Sequence, residues 1–368
     1  MDRRDFLKHS VFIASASIVG SRLINPEKIL AFESNYQPAK YFKYLEDGTV
    51  QCTLCPLMEK LAPGKTGLCR VRVSYNKKIY TTNYGLASAL HKDPVEKNPV
   101  YHFKPGWNTL ALATAGCNLA CPACQNWEMS QTSVSRLKNF EMSPQKVVGY
   151  ARQHKLKGVA YTFTEPVIFF EYCLDIAREA RRYGLTNHVV TGGYVSEEPL
   201  KEMCRYIDTF SVSIKGSNDS MYGNRPNAFE AIKRSLYTIK KAGCWLEVAN
   251  LVIPGYGDDT GYISGLSRWI KSNLGADTPV HFSRFFPSFK LRNVPQTPVN
   301  TLENARNIAL GEGVKFVYVG NVPGHQFNNT FCPECKKTLV QRVGFKIVKN
   351  LVQKGRCSYC NAKIAGIW

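Results

Sequence analysis

Apolar and polar positions follow two different periods along the middle of the chain. Short apolar runs predict six strands, over residues 108–115, 158–164, 188–191, 209–214, 246–253 and 280–285. Between and after these runs, apolar residues recur every three or four positions, which is typical of amphipathic helices. This second pattern predicts helices from Ser143 onward and over about 166–183, 197–206, 227–242, 261–273 and 301–311.

The alternation of strands and helices indicates an α/β protein with a parallel sheet and right-handed crossovers. Six such units suit a partial (β/α)6 barrel of the TIM type, which we assign to residues 107–325. An N-terminal cysteine-containing extension (33–106) and a small C-terminal module (326–368) flank the barrel. Because barrel chemistry collects at the carboxyl ends of the strands, site residues are expected just after each strand.

Three cysteines directly follow the first strand, at Cys117, Cys121 and Cys124, with the spacing C-x3-C-x2-C. An ordinary cubane iron–sulfur cluster is held by four thiolates. Three thiolates leave one iron of a [4Fe–4S] cluster open, and the amino and carboxylate groups of S-adenosylmethionine can chelate that iron. The alternatives are three buried thiols or part of a zinc site. The motif resembles the catalytic cluster motif of the radical SAM superfamily.

Residues suited to a bound cofactor lie at the ends of four later strands: Thr164 and Glu165, Gly192 and Gly193, Ser213 and Lys215, and His281 and Arg284. A carboxylate at Glu165 can accept hydrogen bonds from the methionyl ammonium, and the glycines permit close backbone approach to a ligand. A lysine facing a barrel interior needs an anionic partner, for which the cofactor's carboxylate is a candidate. Each residue alone is equally compatible with a structural role, but their recurrence at successive strand ends favours a site.

Two further cysteine groups lie outside the predicted barrel. Four cysteines form two C-x2-C pairs separated by 21 residues: Cys332, Cys335, Cys357 and Cys360. This pattern predicts a zinc ribbon, with rubredoxin-like iron or disulfides as alternatives. The N-terminal group comprises Cys52, Cys55 and Cys69. A metal there needs a fourth ligand, for which His91 or His102 is a candidate, and a vestigial site is the open alternative.

The first residues resemble a twin-arginine export signal, with Arg3-Arg4 followed by Phe6-Leu7-Lys8. The apolar stretch at 11–20 is far too short for a stable membrane span. Cleavage near Ala31 would remove residues 1–32, and export would place the protein in the periplasm. The alternative is that these residues form an amphipathic helix of a cytoplasmic protein. The expected chemistry favours this alternative, because the cytoplasm supplies S-adenosylmethionine and low-potential electrons.

The chain is strongly basic, with 48 Lys and Arg against 28 Asp and Glu and a formal net charge of +20. Residues 336–363 carry eight of the basic residues and no acidic one. Such a concentration leaves nucleic acid open as a partner. Hydrophobic residues make up 44% of the chain, which excludes an intrinsically disordered protein.

Further motifs resemble the radical SAM enzymes of the AmmeMemoRadiSam system along nearly the whole chain. They are Cys52-x2-Cys55-Pro56, residues 67–72, 93–103, 116–118, 169–172, 279–285 and 318–325, and the C-terminal cysteine pairs. This family is similar to the activating enzymes of pyruvate formate-lyase, which abstract a hydrogen from a glycine in a partner protein. The resemblance therefore implies a low-potential electron donor and a protein or small-molecule substrate.

Four positions depart from the family pattern: Ala123 replaces an aromatic residue, Gly192 an asparagine and Ser213 an aspartate, and a fourth N-terminal cysteine expected near Glu59 is missing. Each lost hydrogen bond or ring contact is expected to weaken cofactor binding by about 1 kcal/mol.

Three functional hypotheses follow. The first is a radical SAM oxidoreductase that cleaves S-adenosylmethionine to a 5′-deoxyadenosyl radical. The second is radical-based RNA modification, motivated by the basic C-terminal module. The third is an exported iron–sulfur protein for electron transfer or assembly that has lost this cleavage, motivated by the signal and by the four departures.

Overall fold

The structure is a computed structural model that describes residues 36–368. The predicted export signal at residues 1–32 lies outside the described residues. Within residues 36–368, no helix combines the length and the apolar character needed to cross a membrane.

The N-terminal extension consists of short antiparallel strands joined by turns and loops. The strands are β1 (Gln37–Pro38), β2 (Phe42–Tyr44), β3 (Val50–Cys52), β4 (Lys60–Leu61), β5 (Arg72–Tyr75), β6 (Lys78–Thr81) and β7 (Leu86–Ala87). They form two three-stranded sheets, with the orders β1-β6-β5 and β2-β3-β4, while β7 pairs with a strand outside the extension. Cys52 ends β3, and Cys69 lies just before β5.

One eight-stranded sheet forms the centre of the molecule. The strands of this part of the chain are β8 (Ala89–Pro94), β9 (Asn108–Ala113), β10 (Phe140–Glu141), β11 (Gly158–Tyr161), β12 (Thr186–Thr191), β13 (Thr209–Ile214), β14 (Trp245–Val252), β15 (Val280–Arg284) and β16 (Val317–Gly320). Its order is β16-β15-β14-β13-β12-β11-β9-β8, and β10 instead pairs with β7.

All strands of this sheet are parallel except β8, which runs antiparallel to β9. The six predicted strands are confirmed, and the sheet is an open, partial barrel. The structure adds β16 at one edge and β8 at the other.

Helices follow the parallel strands, as the sequence predicts. They are α1 (Trp127–Ser130), α2 (Pro144–Gln153), α3 (Phe170–Arg182), α4 (Glu197–Cys204), α5 (Ala228–Lys241), α6 (Thr260–Leu274) and α7 (Val299–Gly311). Helix α2 begins where the Ser143 side chain accepts the backbone N–H of Lys146 at 3.3 Å, and Asp259 caps α6 in the same way. All six predicted helices are confirmed; the short α1 was not predicted.

Alternation along the strands separates an apolar outer face from a more polar inner face. On β13, Phe210 and Val212 belong to the main hydrophobic core. Ser211 and Ser213 point to the opposite face, and Ser211 is fully buried with an unpartnered hydroxyl oxygen. Small polar side chains of this strand therefore face the inside of the barrel.

A buried polar network closes the amino-terminal end of the barrel around Glu247, near the start of β14. Its carboxylate accepts the backbone N–H groups of Tyr101 and His102, both at 2.8 Å. Trp245 Nε1 donates to it at 3.0 Å, and His281 Nε2 lies 2.7 Å away. These contacts, together with burial of the whole network, leave the carboxyl end of the strands as the accessible end for chemistry.

The C-terminal module is built from β17 (Thr330–Phe331), β18 (Thr338–Val343), β19 (Lys346–Asn350), β20 (Val352–Gln353) and β21 (Arg356–Cys357). Its apolar residues form one cluster with Tyr101, Phe316 and Tyr318, so the module shares a core with the base of the barrel. Arg342 is buried there, 4.1 Å from the Tyr101 ring. It therefore contributes to packing and not to a basic surface.

Candidate functional site

The three cysteines of the C-x3-C-x2-C motif lie on the loop between β9 and α1. The backbone N–H of Leu119 donates to Cys117 Sγ at 3.3 Å, and Cys124 Sγ lies 3.3 Å from Ser130 Oγ. Cys121 is buried, and the other two thiols are half-buried. The loop thus presents three sulfur atoms from one short segment.

The electrostatics of these thiols suit binding to a positively charged iron centre. Burial raises the pKa of the Cys117 thiol well above its ordinary value, and the nearby Glu165 and Cys121 reinforce that shift. Burial also raises the pKa of Cys121, whereas Lys215 opposes the rise. Iron would supply the positive charge that stabilises these groups as thiolates. The donor set therefore fits a cluster held by three cysteines.

Glu165 is held at the end of β11 by groups from the neighbouring strand. Its carboxylate accepts the Thr191 hydroxyl at 2.6 Å and the backbone N–H of Gly192 at 2.8 Å. Burial raises its pKa, while these hydrogen bonds and Lys215 work in the opposite direction. Phe163, two residues earlier, has a φ of 63°, a left-handed conformation that costs free energy in a bulky residue. The turn that directs Glu165 inward is therefore strained.

Thr164 and the two glycines form the frame around this carboxylate. The Thr164 hydroxyl donates to the backbone carbonyl of Thr114 at 2.8 Å, which ties β11 to the strand that precedes the cysteine loop. A Cβ at Gly192 would lie 2.5 Å from Leu119 Cδ1. Gly193 has a φ of +74°. The backbone conformation therefore favours glycine at position 193, whereas at Gly192 the Leu119 side chain occupies the space that a side chain would need.

Lys215 connects the cysteine loop with Glu165. It lies just after β13, and its Nζ is 3.5 Å from the backbone carbonyl of Ser213. Its positive charge acts on both Cys121 and Glu165. The charges of the cysteines, the carboxylate and the ammonium group therefore act on one another, and binding of the cofactor by these residues stays a prediction.

His281 and Arg284, also predicted to bind the cofactor, have other contacts. The His281 ring bonds to Glu247 and stacks on Tyr318, within the network that closes the base of the barrel. Arg284 Nε donates to the carbonyl of Thr297 at 2.7 Å. Neither has a contact with Glu165, Lys215 or the cysteine loop among the described hydrogen bonds and ion pairs.

Several residues that fix the cysteine loop were not predicted. The Ser288 hydroxyl donates to the carbonyl of Cys124 at 3.0 Å, and the Lys290 N–H donates to that of Pro122 at 3.0 Å. From another direction, Arg225 Nε donates to the Asn118 carbonyl at 2.6 Å. A loop after β15 and the segment before α5 therefore position the cysteines.

The four C-terminal cysteines form a second group of potential metal ligands. Cys332 Sγ lies 3.6 Å from Cys360 Sγ, and Cys335 Sγ lies 3.7 Å from Cys357 Sγ. Tetrahedral geometry with Zn–S bonds of about 2.3 Å places sulfurs about 3.8 Å apart. The described cysteines are all free of disulfides, so this group can hold a metal ion; the identity of that ion as zinc stays a prediction.

The N-terminal cysteines Cys52, Cys55 and Cys69 line one cavity. The two histidines considered as a fourth ligand do not line it. His102 is buried, with Nδ1 2.6 Å from the carbonyl of Ala365, and His91 packs against the Phe163 ring.

Two comparisons, one with protein families and one with single proteins, show what this chain is similar to. Residues 112–261 match the profile of the Radical SAM superfamily. An uncharacterised protein of Methanocaldococcus jannaschii is 39% identical over 328 residues, which cover 89% of this chain and 98% of that protein.

Two solved structures are similar at low identity. A domain of pyruvate-formate lyase-activating enzyme from Bacteroides vulgatus is 16% identical, with a TM-score of 0.39, and the match covers 45% of this chain and 99% of that one. A radical SAM methyltransferase from Sphaerobacter thermophilus is 14% identical, with a TM-score of 0.46, covering 81% and 82% of the two chains. The profile match begins within β9, includes the whole C-x3-C-x2-C loop and extends into α6. The chain belongs to the radical SAM superfamily.

Proposed function

We propose that this protein is a radical SAM enzyme that cleaves S-adenosylmethionine and uses the resulting radical to abstract a hydrogen atom. Cys117, Cys121 and Cys124 would hold the cluster. The observation that carries the proposal is the single electrostatic group formed by these thiols, Glu165 and Lys215 at the carboxyl ends of the strands. When bound, a reduced [4Fe–4S] cluster supplies the electron that splits the sulfonium C–S bond into methionine and a 5′-deoxyadenosyl radical.

The chain's own residues bind and orient the cofactor in this proposal. Glu165 accepts hydrogen bonds from the methionyl ammonium group, because its carboxylate is buried and is held in place by the Thr191 hydroxyl and the Gly192 N–H. Lys215 faces the methionyl carboxylate and balances the negative charge of the thiolates. Ser213 lies two residues before Lys215, at the end of β13, and is proposed to position the cofactor with Glu165 and Lys215. Burial of these groups excludes water from the radical.

We further propose an activase-like reaction, in which the hydrogen comes from a protein glycine or from a small molecule. Its support is the resemblance of the sequence motifs to the AmmeMemoRadiSam enzymes, and it requires a low-potential electron donor as partner. The basic C-terminal module motivated RNA modification as an alternative, but the buried position of Arg342 removes one of its charges from the surface.

The test is anaerobic reconstitution, dithionite reduction and assay of 5′-deoxyadenosine in the presence of S-adenosylmethionine. We expect product from the wild type, none from Cys121→Ala, and full product from Cys204→Ala, a half-buried cysteine outside the loop. A wild-type protein with the expected iron and sulfide content but no 5′-deoxyadenosine would overturn the proposal. The exported cluster protein without cleavage would then be favoured.

A further inference from the structure

The N-terminal cysteines share features with the metal-binding loops elsewhere in the chain. Cys52 ends β3, Cys55 lies in the turn that follows it, Cys69 lies in the turn before β5, and all three line a common cavity. Cys52 and Cys69 are buried, and Cys55 is half-buried. The other residues lining this cavity are mostly apolar, apart from Glu59, Arg72 and Asn118. The cavity therefore brings three thiols together with one carboxylate and one guanidinium group.

The local backbone resembles a cysteine knuckle. In such a knuckle, the amide N–H of the second residue after a cysteine points at the sulfur atom of that cysteine. The backbone N–H of Leu57 bonds to the Cys55 sulfur, and that of Val71 bonds to the Cys69 sulfur. The same arrangement occurs at two other cysteines: Leu119 to Cys117 at 3.3 Å and Tyr359 to Cys357 at 3.4 Å. Hydrogen bonds of this kind stabilise thiolates and orient ligands.

Arg72 and Asn118 supply polar groups around the sulfurs. The Arg72 guanidinium lies 3.8 Å from Cys52 Sγ and is fixed by an ion pair with Glu171 at 2.6 Å. Its Nε and the side-chain oxygen of Asn118 are buried without partners, in residues that are 1% and 2% exposed. A buried unpartnered donor is costly, and thiolates or an anionic cluster in the cavity would accept the Arg72 Nε–H.

We propose that Cys52, Cys55 and Cys69 bind a second iron–sulfur cluster, with the carboxylate of Glu59 as its fourth ligand. Glu59 is the acidic residue on the cavity wall, and it follows Cys55 at the spacing C-x2-C-x3-E. Its two oxygens accept the Leu68 N–H at 3.0 and 2.9 Å, which holds the carboxylate beside the loop of Cys69.

The spacing of the sulfurs favours a cluster over a single ion. Within residues 36–368, the C-terminal four cysteines are the only His, Cys, Asp or Glu group whose ligand atoms all lie within 4.8 Å of one another. The N-terminal thiols are therefore spread more widely than one tetrahedral ion requires. The thiols of the C-x3-C-x2-C loop likewise do not form such a group, and the ligands of a cubane bind different irons.

The second site adjoins the first. Asn118 lies on the cavity wall and directly follows Cys117. Gly116 is so close to the Cys69 loop that an added Cβ would lie 2.5 Å from the Cys69 carbonyl oxygen. The two cysteine loops therefore pack against each other. This inference does not depend on cleavage of S-adenosylmethionine, because the ligands belong to a different segment.

The experiment compares acid-labile sulfide and iron in anaerobically reconstituted full-length proteins. Sulfide reports clusters only, so a metal bound by the C-terminal cysteines does not contribute to it. We expect Cys117→Ala/Cys121→Ala/Cys124→Ala to retain about half the wild-type sulfide, and Cys52→Ala/Cys55→Ala/Cys69→Ala to retain about half as well. The pair Cys204→Ala/Cys244→Ala should retain all of it and controls for cysteine removal.

Two results would overturn the second cluster. One is loss of all sulfide from the Cys117/Cys121/Cys124 variant while its circular dichroism and C-terminal metal content stay native. The other is that the same variant binds a second equivalent of zinc and no sulfide. That result would indicate that the N-terminal cysteines hold a single metal ion. Formation of 5′-deoxyadenosine is scored separately in the wild type, so failure of the proposed catalysis is distinguishable from failure of this inference.

The role of Glu59 is tested in the variant that lacks the first cluster. We expect Glu59→Gln to change the electron paramagnetic resonance spectrum of the reduced cluster and to speed its loss to a chelator by at least about fivefold. Glu59→Cys should slow that loss by supplying a thiolate. Unchanged spectra and loss rates in both variants would show that Glu59 is not a ligand.

Discussion

Gly116 is the residue at which the two cysteine loops come closest. It adopts a φ of +92°, and a Cβ there would lie 2.5 Å from the Cys69 carbonyl and 2.8 Å from Val71. We expect Gly116→Ala to lower the free energy of unfolding by more than about 2 kcal/mol, because it adds a backbone clash to the cost of left-handed φ. Denaturant unfolding measures this change.

Gly184→Ala is the matched control for that substitution. Gly184 also has a positive φ, +69°, but an added Cβ would meet nothing within 4 Å. Gly184→Ala should lower the free energy of unfolding by about 1 kcal/mol, which is the cost of the positive-φ backbone conformation alone. Equal losses in the two variants would mean that the contact between the cysteine loops does not constrain Gly116.

Glu165 is the residue on which the proposed cofactor orientation depends most. In Glu165→Gln the charge that attracts the methionyl ammonium is gone, while the shape and one hydrogen-bond acceptor remain. Loss of a charged hydrogen bond, about 1.5–3 kcal/mol, predicts S-adenosylmethionine binding weaker by roughly 10- to 100-fold. Titration calorimetry of the cluster-loaded proteins measures the affinity.

Glu198→Gln is the control for that variant, since its side chain is 74% exposed on the surface. It should bind the cofactor like the wild type. If Glu165→Gln binds equally well, the carboxylate does not contact the ammonium group.

Single residues of the site can be predicted from sequence only where the signal is local. The spacing of Cys117, Cys121 and Cys124 lies within eight residues, and Glu165 follows a recognisable strand. Ser288 and Arg225 contact the cysteine loop from 164 and 107 residues away. No local pattern marks those two residues, because their partners are brought together only by the fold. His281 shows the converse: its place on the sixth strand suggests a ligand, yet it is the second residue of β15 and its bond to Glu247 places it in the basal network.

At the scale of elements, hydrophobic periodicity is sufficient for the six central strands and their helices. These strands are largely buried on both faces, so they are rich in apolar and small residues and contrast with the charged helices between them. The edge strands lack this signal. Strand β8 carries exposed His91 and Lys92 in its middle, and β16 is only four residues long. The hydrophobic pattern of a very short strand, or of an edge strand with one exposed side, does not differ from that of a loop.

Strand β12 provides a pH-dependent contribution to the stability of the barrel. His188 is fully buried on this strand, with Nδ1 3.0 Å from the Thr209 hydroxyl and Nε2 2.8 Å from the Thr186 hydroxyl. Burial lowers its pKa from 6.5 to about 3. Between these values the unfolded chain binds the proton and the folded chain does not, so stability falls as pH falls from 6.5 towards 3.

We therefore expect His188→Gln to weaken the pH dependence of unfolding. Between pH 5.0 and 6.5, the free energy of unfolding should depend on pH less steeply than in the wild type, by up to about 1.4 kcal/mol per pH unit. Denaturant midpoints at several pH values and matched cluster content give the two slopes. Other titrating groups, such as buried Glu96, are common to both proteins and cancel in the difference. Parallel slopes would show that His188 is protonated equally in both states.

At the scale of the whole molecule, the C-terminal module and the barrel base are one structural unit. Tyr101 and Tyr318 pack in the same apolar cluster as Leu339, Val340 and Ile364 of the module. Arg342 extends this connection, since it donates to the carbonyls of Asn328 and Tyr101 at 3.1 and 2.9 Å. A metal that orders the four-cysteine group should therefore stabilise the barrel as well as the module.

Removal of that metal tests the connection. Cys357→Ser/Cys360→Ser should lose one metal equivalent and lower the melting temperature of the whole described fold by roughly 5 °C or more, because metal binding to such sites contributes directly to folding. Lys346→Ser, at an exposed position of the same module, should leave both unchanged. Metal analysis and thermal unfolding, followed by helical circular dichroism, supply the measurements. Since the helices belong to the barrel part of the chain, an unchanged helical transition after metal loss would mean that the module folds independently of the barrel.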